Sequence, residues 1–155
     1  MGTFKLRRIK KSEIPEAMDL VWKVFLAFEA PGYNSDGIAE FSNFIDCQTM
    51  LDRMNHSQIT IWGSWDGKKL VGVIATRLPC HICLLFVDPE YHRKGIAGSL
   101  FQTALDYYRE DPEITDMTVN SSPYAKEVYH RFGFTDLDAE QEINGIRFIP
   151  MKLTF

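Results

Sequence analysis

Leu84-Leu85-Phe86-Val87-Asp88-Pro89-Glu90-Tyr91-His92-Arg93-Lys94-Gly95-Ile96-Ala97-Gly98-Ser99-Leu100 reads as a buried strand, a short loop, a small-residue turn and the start of an amphipathic helix. Such an arrangement suits an anion. The first turn of a helix leaves N–H groups without partners, and the helix dipole favours negative charge beside them. Gly95, Ala97 and Gly98 let a ligand come close to the backbone, and Arg93 and Lys94 add positive charge, so a pyrophosphate fits the cradle. Small residues open many helices, and the glycines alone are a weak guide. The spacing does exclude two familiar phosphate sites. No Gly-Lys-Ser/Thr follows, as a P-loop requires. A dinucleotide fold usually carries its glycine turn after the first strand, whereas this turn lies past the middle of the 155-residue chain.

Working upstream, His81 to Val87 is the third strand of a meander that begins with Gln58 to Trp65, turns at Asp66-Gly67-Lys68-Lys69 and returns over Leu70 to Thr76. Before it, Phe4 to Ile9 is a first strand. Ser12 is expected to cap a helix that has Pro15 in its first turn and runs to about Phe28. Ala17, Leu20, Val21, Val24, Phe25 and Phe28 repeat at the three-four spacing of one buried face. Pro31 to Gly37 is a loop by composition, and a second helix is expected over Ile38 to Met54. Downstream, residues 98–109 are helical up to Asp111-Pro112, Asp116 to Asn120 is a strand, Tyr124 to Phe132 a helix and Arg147 to Phe155 a last strand. The order, βαα, a three-strand meander, then αβαβ, predicts a mixed α/β sheet with helices packed on it, in one domain over 1–155.

Composition narrows the function. Hydrophobic residues at 45% and charged residues at 25% are ordinary for a globular protein, so a real core is expected without staples. A net charge of −4 with no long basic run argues against nucleic acid as a partner. No apolar run approaches the roughly 18 residues that span a bilayer, and no membrane partner is expected. Lys5, Arg7 and Arg8 are followed by no apolar stretch, so no signal peptide is expected, and Leu6 stands where myristoylation wants Ser or Thr. Cys47, Cys80 and Cys83 read as free thiols in a reducing cytoplasm. Cys80-His81-Ile82-Cys83 groups three metal-ligand types, but no fourth ligand or matching pair appears elsewhere, and no metal is expected.

Val87-Asp88-Pro89-Glu90-Tyr91-His92-Arg93-Lys94-Gly95-Ile96-Ala97 resembles the acyl-CoA signature of the GCN5-related N-acetyltransferases (GNAT): Arg or Gln, two residues, Gly, one residue, then Gly or Ala. His92 stands at the Arg/Gln position. A second stretch, Val119-Asn120 and then Ala125-Lys126-Glu127-Val128-Tyr129-His130-Arg131-Phe132-Gly133-Phe134, resembles the family's Asn followed by a helix ending in Tyr-x-x-x-Gly-Phe. Two motifs in the right order on the right elements are far more specific than either alone. Within the family the chain is most similar to bacterial single-domain members of the YafP-like type.

The resemblance implies the GNAT fold, a central twisted and mostly antiparallel sheet flanked by helices, and acetyl transfer from acetyl-CoA directly to a primary amine. It places the co-substrate between the strands ending at Val87 and Asn120. There the backbone of Phe86 and Val87 pairs with pantetheine amides as an added strand would. His92, Arg93, Lys94, Gly95, Ile96, Ala97, Gly98 and Ser99 hold the pyrophosphate, and Asn120 and Tyr124 are candidate contacts to the pantetheine arm. Tyr129 matches the family's general acid, since a phenol of pKa near 10 is protonated at pH 7.

The base is open between two residues. His81 resembles a position from which some members relay a proton through water, with Cys83 where a second histidine could stand. Glu29 lies at the helix–loop junction that usually borders the acceptor. Cys83 as an acylated nucleophile runs against direct transfer. Phe28, Glu29 and Tyr33, in a segment that also holds Asp36, Glu40 and Phe41, are expected to shape an acidic, aromatic acceptor pocket for a small-molecule or peptide amine. The same composition equally describes a solvated acidic helix packed by its phenylalanines. Homodimers are common in the family. A non-catalytic acyl-CoA-binding module and a partner subunit of an acetyltransferase complex are the competing readings.

Overall fold

The computed structural model describes residues 4–155; Met1, Gly2 and Thr3, on which the leader and myristoylation readings partly rest, lie outside them. Strand β1 (Lys5–Arg8) leads through a short 3-10 turn (Lys11–Glu13) to α1 (Ile14–Phe28), α2 (Ser35–Phe44) and α3 (Cys47–Asn55). The meander β2 (Ile59–Asp66), β3 (Lys69–Arg77) and β4 (His81–Val87) follows. Next come α4 (Ile96–Arg109), β5 (Asp116–Ser121), α5 (Lys126–Arg131), β6 (Thr135–Asp136), β7 (Gln141–Ile143) and β8 (Ile146–Thr154). The sheet order is β1-β2-β3-β4-β5-β8-β6, with β7 hairpinned onto β8. The pairings are antiparallel except that of β4 with β5. This is the expected mixed sheet with flanking helices.

The two faces of the sheet bury separate cores, as the period-2 alternation of strand side chains requires. Ile61, Trp65, Val73 and Ala75 face α1, while Trp62 and Ile74 face α4, joined there by Val71 where the β2–β3 register shifts by one residue. Phe25 of α1 is fully buried and stacks on Phe41 of α2 with centroids 4.0 Å apart, so the α1 stripe holds α2 over the sheet. On the other face α4 lies against β3 at Gly72, where a Cβ would meet Ile96 Cγ2 at 2.9 Å and Leu100 Cδ1 at 3.0 Å. That close packing fixes the start of α4 beside the end of β4.

Three local expectations are corrected. Ser12 does not cap α1; Glu13 precedes the helix, and its carboxylate accepts from the Lys10 N–H (2.8 Å) and from Arg7 (2.7 and 2.9 Å), which settles the turn before the helix instead. The single helix over Ile38 to Met54 is two helices. Asn34 caps the first by accepting from the Gly37 N–H (2.9 Å). Asp46, in extended backbone, caps the second by accepting from the Thr49 N–H (3.1 Å). The expected loop from Pro31 to Gly37 contracts accordingly. Finally, β6 and β7 were absent from the predicted order. Asn144 (φ 53°) and Gly145 (φ 81°) form the two-residue turn that joins β7 to β8.

A β-bulge and a divergence shape the middle of the sheet. The β3–β4 register pairs Ala75 with Leu84 and Thr76 with Ile82, skipping Cys83. Cys83 is the extra residue, so Cys83 and Leu84 both pack toward the α1 core while Ile82 and Leu85 pack toward α4. Simple alternation along β4 would put His81, Cys83 and Leu85 on one face, and the bulge breaks it. Next to it, β4 and β5 pair only at His81 with Thr118 and Ile82 with Val119. From Cys83 to Val87 the edge of β4 that would face β5 is left open.

Candidate active site

The open edge of β4 faces a cavity of about 570 Å³, within the usual range for small-molecule sites. Its floor is built from backbone. Asp88 accepts from the Glu90 N–H (3.0 Å) and starts the 3-10 turn Pro89–Tyr91. Arg93 (φ 64°) and Gly95 (φ 78°) then turn the chain left-handed into α4. The φ at Gly95 is costly for any residue with a Cβ. The Ser99 N–H bonds the Gly95 carbonyl (3.0 Å), while the N–H groups of Ile96, Ala97 and Gly98 find no such partner among the described residues and are free for an anion. His92 does not extend into this cradle as a long Arg or Gln would. Its ring Nε2–H donates to the Val87 carbonyl (2.9 Å), and its ring lies 5.5 Å from that of Phe28.

Of the expected co-substrate residues, Phe86, Val87, His92, Arg93, Gly95, Ile96, Ala97, Gly98 and Tyr124 line this cavity, while Lys94 and Ser99 do not. Asn120 lies instead on a second cavity, of about 260 Å³. Glu29, Tyr33 and His81 also line that second cavity. Phe28 lines neither. It packs on His92 and on Tyr124 (5.3 Å), bridging the mouth of the larger cavity rather than the smaller.

The two cavities share a wall: Glu29, Leu85, Phe86, Ala125 and Tyr129 line both. Tyr129 is buried at this shared wall. Burial, and then the nearby Glu29 charge, push its phenol well above the ordinary value, so it stays protonated throughout the physiological range. Burial also pushes the Glu29 carboxyl up, to about 7, with the nearby Ser122 side chain pulling the other way. His81 meets Thr118 through its Nδ1 (2.7 Å to Oγ1), and burial together with the Arg77 charge lowers it to about 4, so its ring is neutral at pH 7. Burial drives the thiols of Cys80 and Cys83 up to about 12, far from a reactive thiolate.

A family model described as an acetyltransferase (GNAT) domain matches residues 29–155. The chain belongs to the GNAT acetyltransferase family. Along its whole length it is 25% identical to the uncharacterized N-acetyltransferase YafP of Escherichia coli strain K12, covering 97% of that protein. A GCN5-related N-acetyltransferase structure from Rhodopseudomonas palustris superposes with a TM-score of 0.85 at 18% identity, covering all of this chain and 98% of that one. The PaiA N-acetyltransferase of Thermoplasma acidophilum, solved in complex with coenzyme A, superposes with a TM-score of 0.80 at 16% identity over 99% of both chains.

The stretches that carry the family resemblance line the two cavities. Sequence reasoning missed several of the residues between them. Ala125, Val128, Tyr129 and Phe132 line the larger cavity at helical three-four spacing, a signal that was readable once Tyr129 was singled out. Arg77, Phe44 and Ile146 on the smaller cavity carry no such signal. They come from the end of β3, the end of α2 and the start of β8, and only the tertiary fold assembles them. Among the described residues no helix is long and apolar enough to cross a membrane.

Proposed function

We propose that this GNAT protein binds acetyl-CoA in the larger cavity and a primary amine in the smaller one, and transfers the acetyl group directly where the two meet. The observation that carries this reading is the shared wall: a carboxyl and a phenol, Glu29 and Tyr129, are the ionisable groups on both cavities. The free N–H groups at the start of α4 suit the pyrophosphate and the open edge of β4 suits the pantetheine amides. Coenzyme A bound to the structurally similar PaiA protein supports the same assignment.

Glu29 serves better than His81 as the base. Their values of about 7 and about 4 differ by three units. Passing the proton of an amine to Glu29 is therefore roughly 4 kcal/mol less unfavourable than passing it to His81. A group near the working pH also combines the right protonation state with useful driving force. As the amine nitrogen bonds to the thioester carbon, Glu29 takes the amine proton. As the C–S bond breaks, Tyr129 gives its proton to the departing sulfur and recovers one from solvent. The two steps assist each other. The Glu29 charge is one of the causes holding the Tyr129 phenol up, and neutralising that charge makes the phenol a stronger acid as the thiolate forms.

Calorimetric titration with acetyl-CoA, beside desulfo-CoA and ATP, tests the cavity assignment. Tight binding of both CoA compounds with much weaker ATP is expected, followed by thiol release when primary amines are added. Absence of CoA binding to folded protein contradicts the reading.

A further inference from the structure

The smaller cavity does not have the uniformly acidic lining expected of a site for a simple cationic amine. Glu29 and Glu40 line it, but so does Arg77, at the opposite end from the shared wall. Arg77 closes β3 and is the register partner of His81, whereas Phe86 of the shared wall pairs with Val73, four residues back along β3. Four residues of strand are about 13 Å. Among the described residues the Arg77 guanidinium makes no hydrogen bond or ion pair, although it carries five N–H donors and Glu40 lines the same cavity. A second guanidinium backs the same end. Arg53 donates to the Phe44 carbonyl (3.2 Å) and lies 4.5 Å over the Phe44 ring, which lines the cavity. Arg77 and Arg53 both pull the Cys83 thiol down against its burial, so their fields converge on the bulge of β4.

The cavity is therefore bipolar, with a carboxyl at the reacting end and an unpaired guanidinium at the outer end. Resting on the acetyltransferase reading, we infer that the acceptor is a primary amine carrying a free carboxylate several bonds away, such as an ω-amino acid or a short peptide, with Arg77 holding the carboxylate. An arginine fork matches a carboxylate in two parallel hydrogen bonds. The carboxylate of Glu40 on the same cavity favours a monoanion over a phosphate dianion, and the span from Arg77 to Tyr129 favours a chain between the two charges over an α-amine beside its own carboxylate.

The test pairs 6-aminohexanoate with hexylamine, which differ in the carboxylate, and measures thiol release from acetyl-CoA for both. The wild-type protein is expected to favour 6-aminohexanoate by roughly tenfold or more in kcat/KM. Arg77→Gln should bring the ratio of the two near unity, and Arg77→Lys should restore part of it, with acetyl-CoA titration checking that each variant is folded. Equal use of both amines by the wild-type protein, or a ratio unmoved in Arg77→Gln, overturns the inference while leaving the acetyltransferase reading intact. Acetyl-CoA binding with no acetylation of either amine overturns both.

Discussion

The two cavities meet at Glu29 and Tyr129 yet are made in different ways. The larger takes its floor from one stretch of chain, with the open edge of β4, the left-handed turn at Arg93 and Gly95, and the free N–H groups of α4, while α5 closes it from the other side. The smaller is made of side chains from α1, α2, β3, β4, β5 and β8, segments far apart in sequence. A backbone cradle does not depend on the side chains beside it, and the geometry of His92 fits this. It occupies the Arg/Gln position of the family signature but turns back to bond the Val87 carbonyl, leaving the cradle to the amides. A side-chain pocket has no such tolerance, and it is where members of one family can diverge in the acceptor they take.

Substitutions can break this contrast or sharpen it. The largest effect is expected at the shared wall. Glu29→Gln should lower kcat/KM by about 10²–10⁴-fold. It should also abolish the rising limb expected of the wild-type profile through about pH 7, because the carboxyl is protonated and inactive below that value and ionised above it. Stopped assays of thiol release across pH 5 to 9 would show this. Gly95→Ala should act on the backbone cradle alone. Forcing a Cβ into φ 78° costs roughly 1–2 kcal/mol, so acetyl-CoA affinity should fall by about 5- to 30-fold with little change in acceptor KM.

Gly37→Ala should do the reverse. A Cβ there would collide with the Gly145 carbonyl, where the β7–β8 turn clasps the start of α2. Because α2 carries Glu40, Phe41 and Phe44 of the smaller cavity, acceptor KM should rise several-fold while calorimetry finds acetyl-CoA affinity unchanged. The smallest effect is on stability. The folded protein holds a proton on Glu29 up to about pH 7, above the ordinary carboxyl value of 4.5. In that window the folded state binds more protons than the unfolded one, so stability falls as pH rises. Glu29→Gln should accordingly melt at a higher temperature than wild type at pH 8 and at nearly the same temperature at pH 4.

What was readable in the sequence follows the same division. The meander, α4 and the co-substrate loop were legible because strand periodicity, a turn signal at Asp66-Gly67 and a glycine at a left-handed position are all local properties. The split between α2 and α3 was not, because apolar residues continue through Phe44 and Ile45 and hide the Asp46 cap. The β7–β8 hairpin left a readable mark, the Asn144-Gly145 pair, beside strands too short to show alternation. The bulge at Cys83 left none, since it is a property of how β4 registers on β3. Tyr129 could be singled out by its motif. The raised carboxyl of Glu29 depends on its burial in the tertiary fold, and the place of Arg77 on the cavity depends on the path of β3, so neither had a local signal.

The most direct test of the shared wall is Tyr129→Phe, measured side by side for acetyl-CoA affinity by calorimetry and for turnover by thiol release with a saturating amine. The phenyl ring keeps the wall and removes only the hydroxyl. Affinity within about twofold of wild type, with kcat reduced by about 10²–10⁴-fold, is the result expected if that hydroxyl protonates the leaving sulfur. Undiminished turnover would contradict the account, because the group placed where the two cavities join would then take no part in the chemistry.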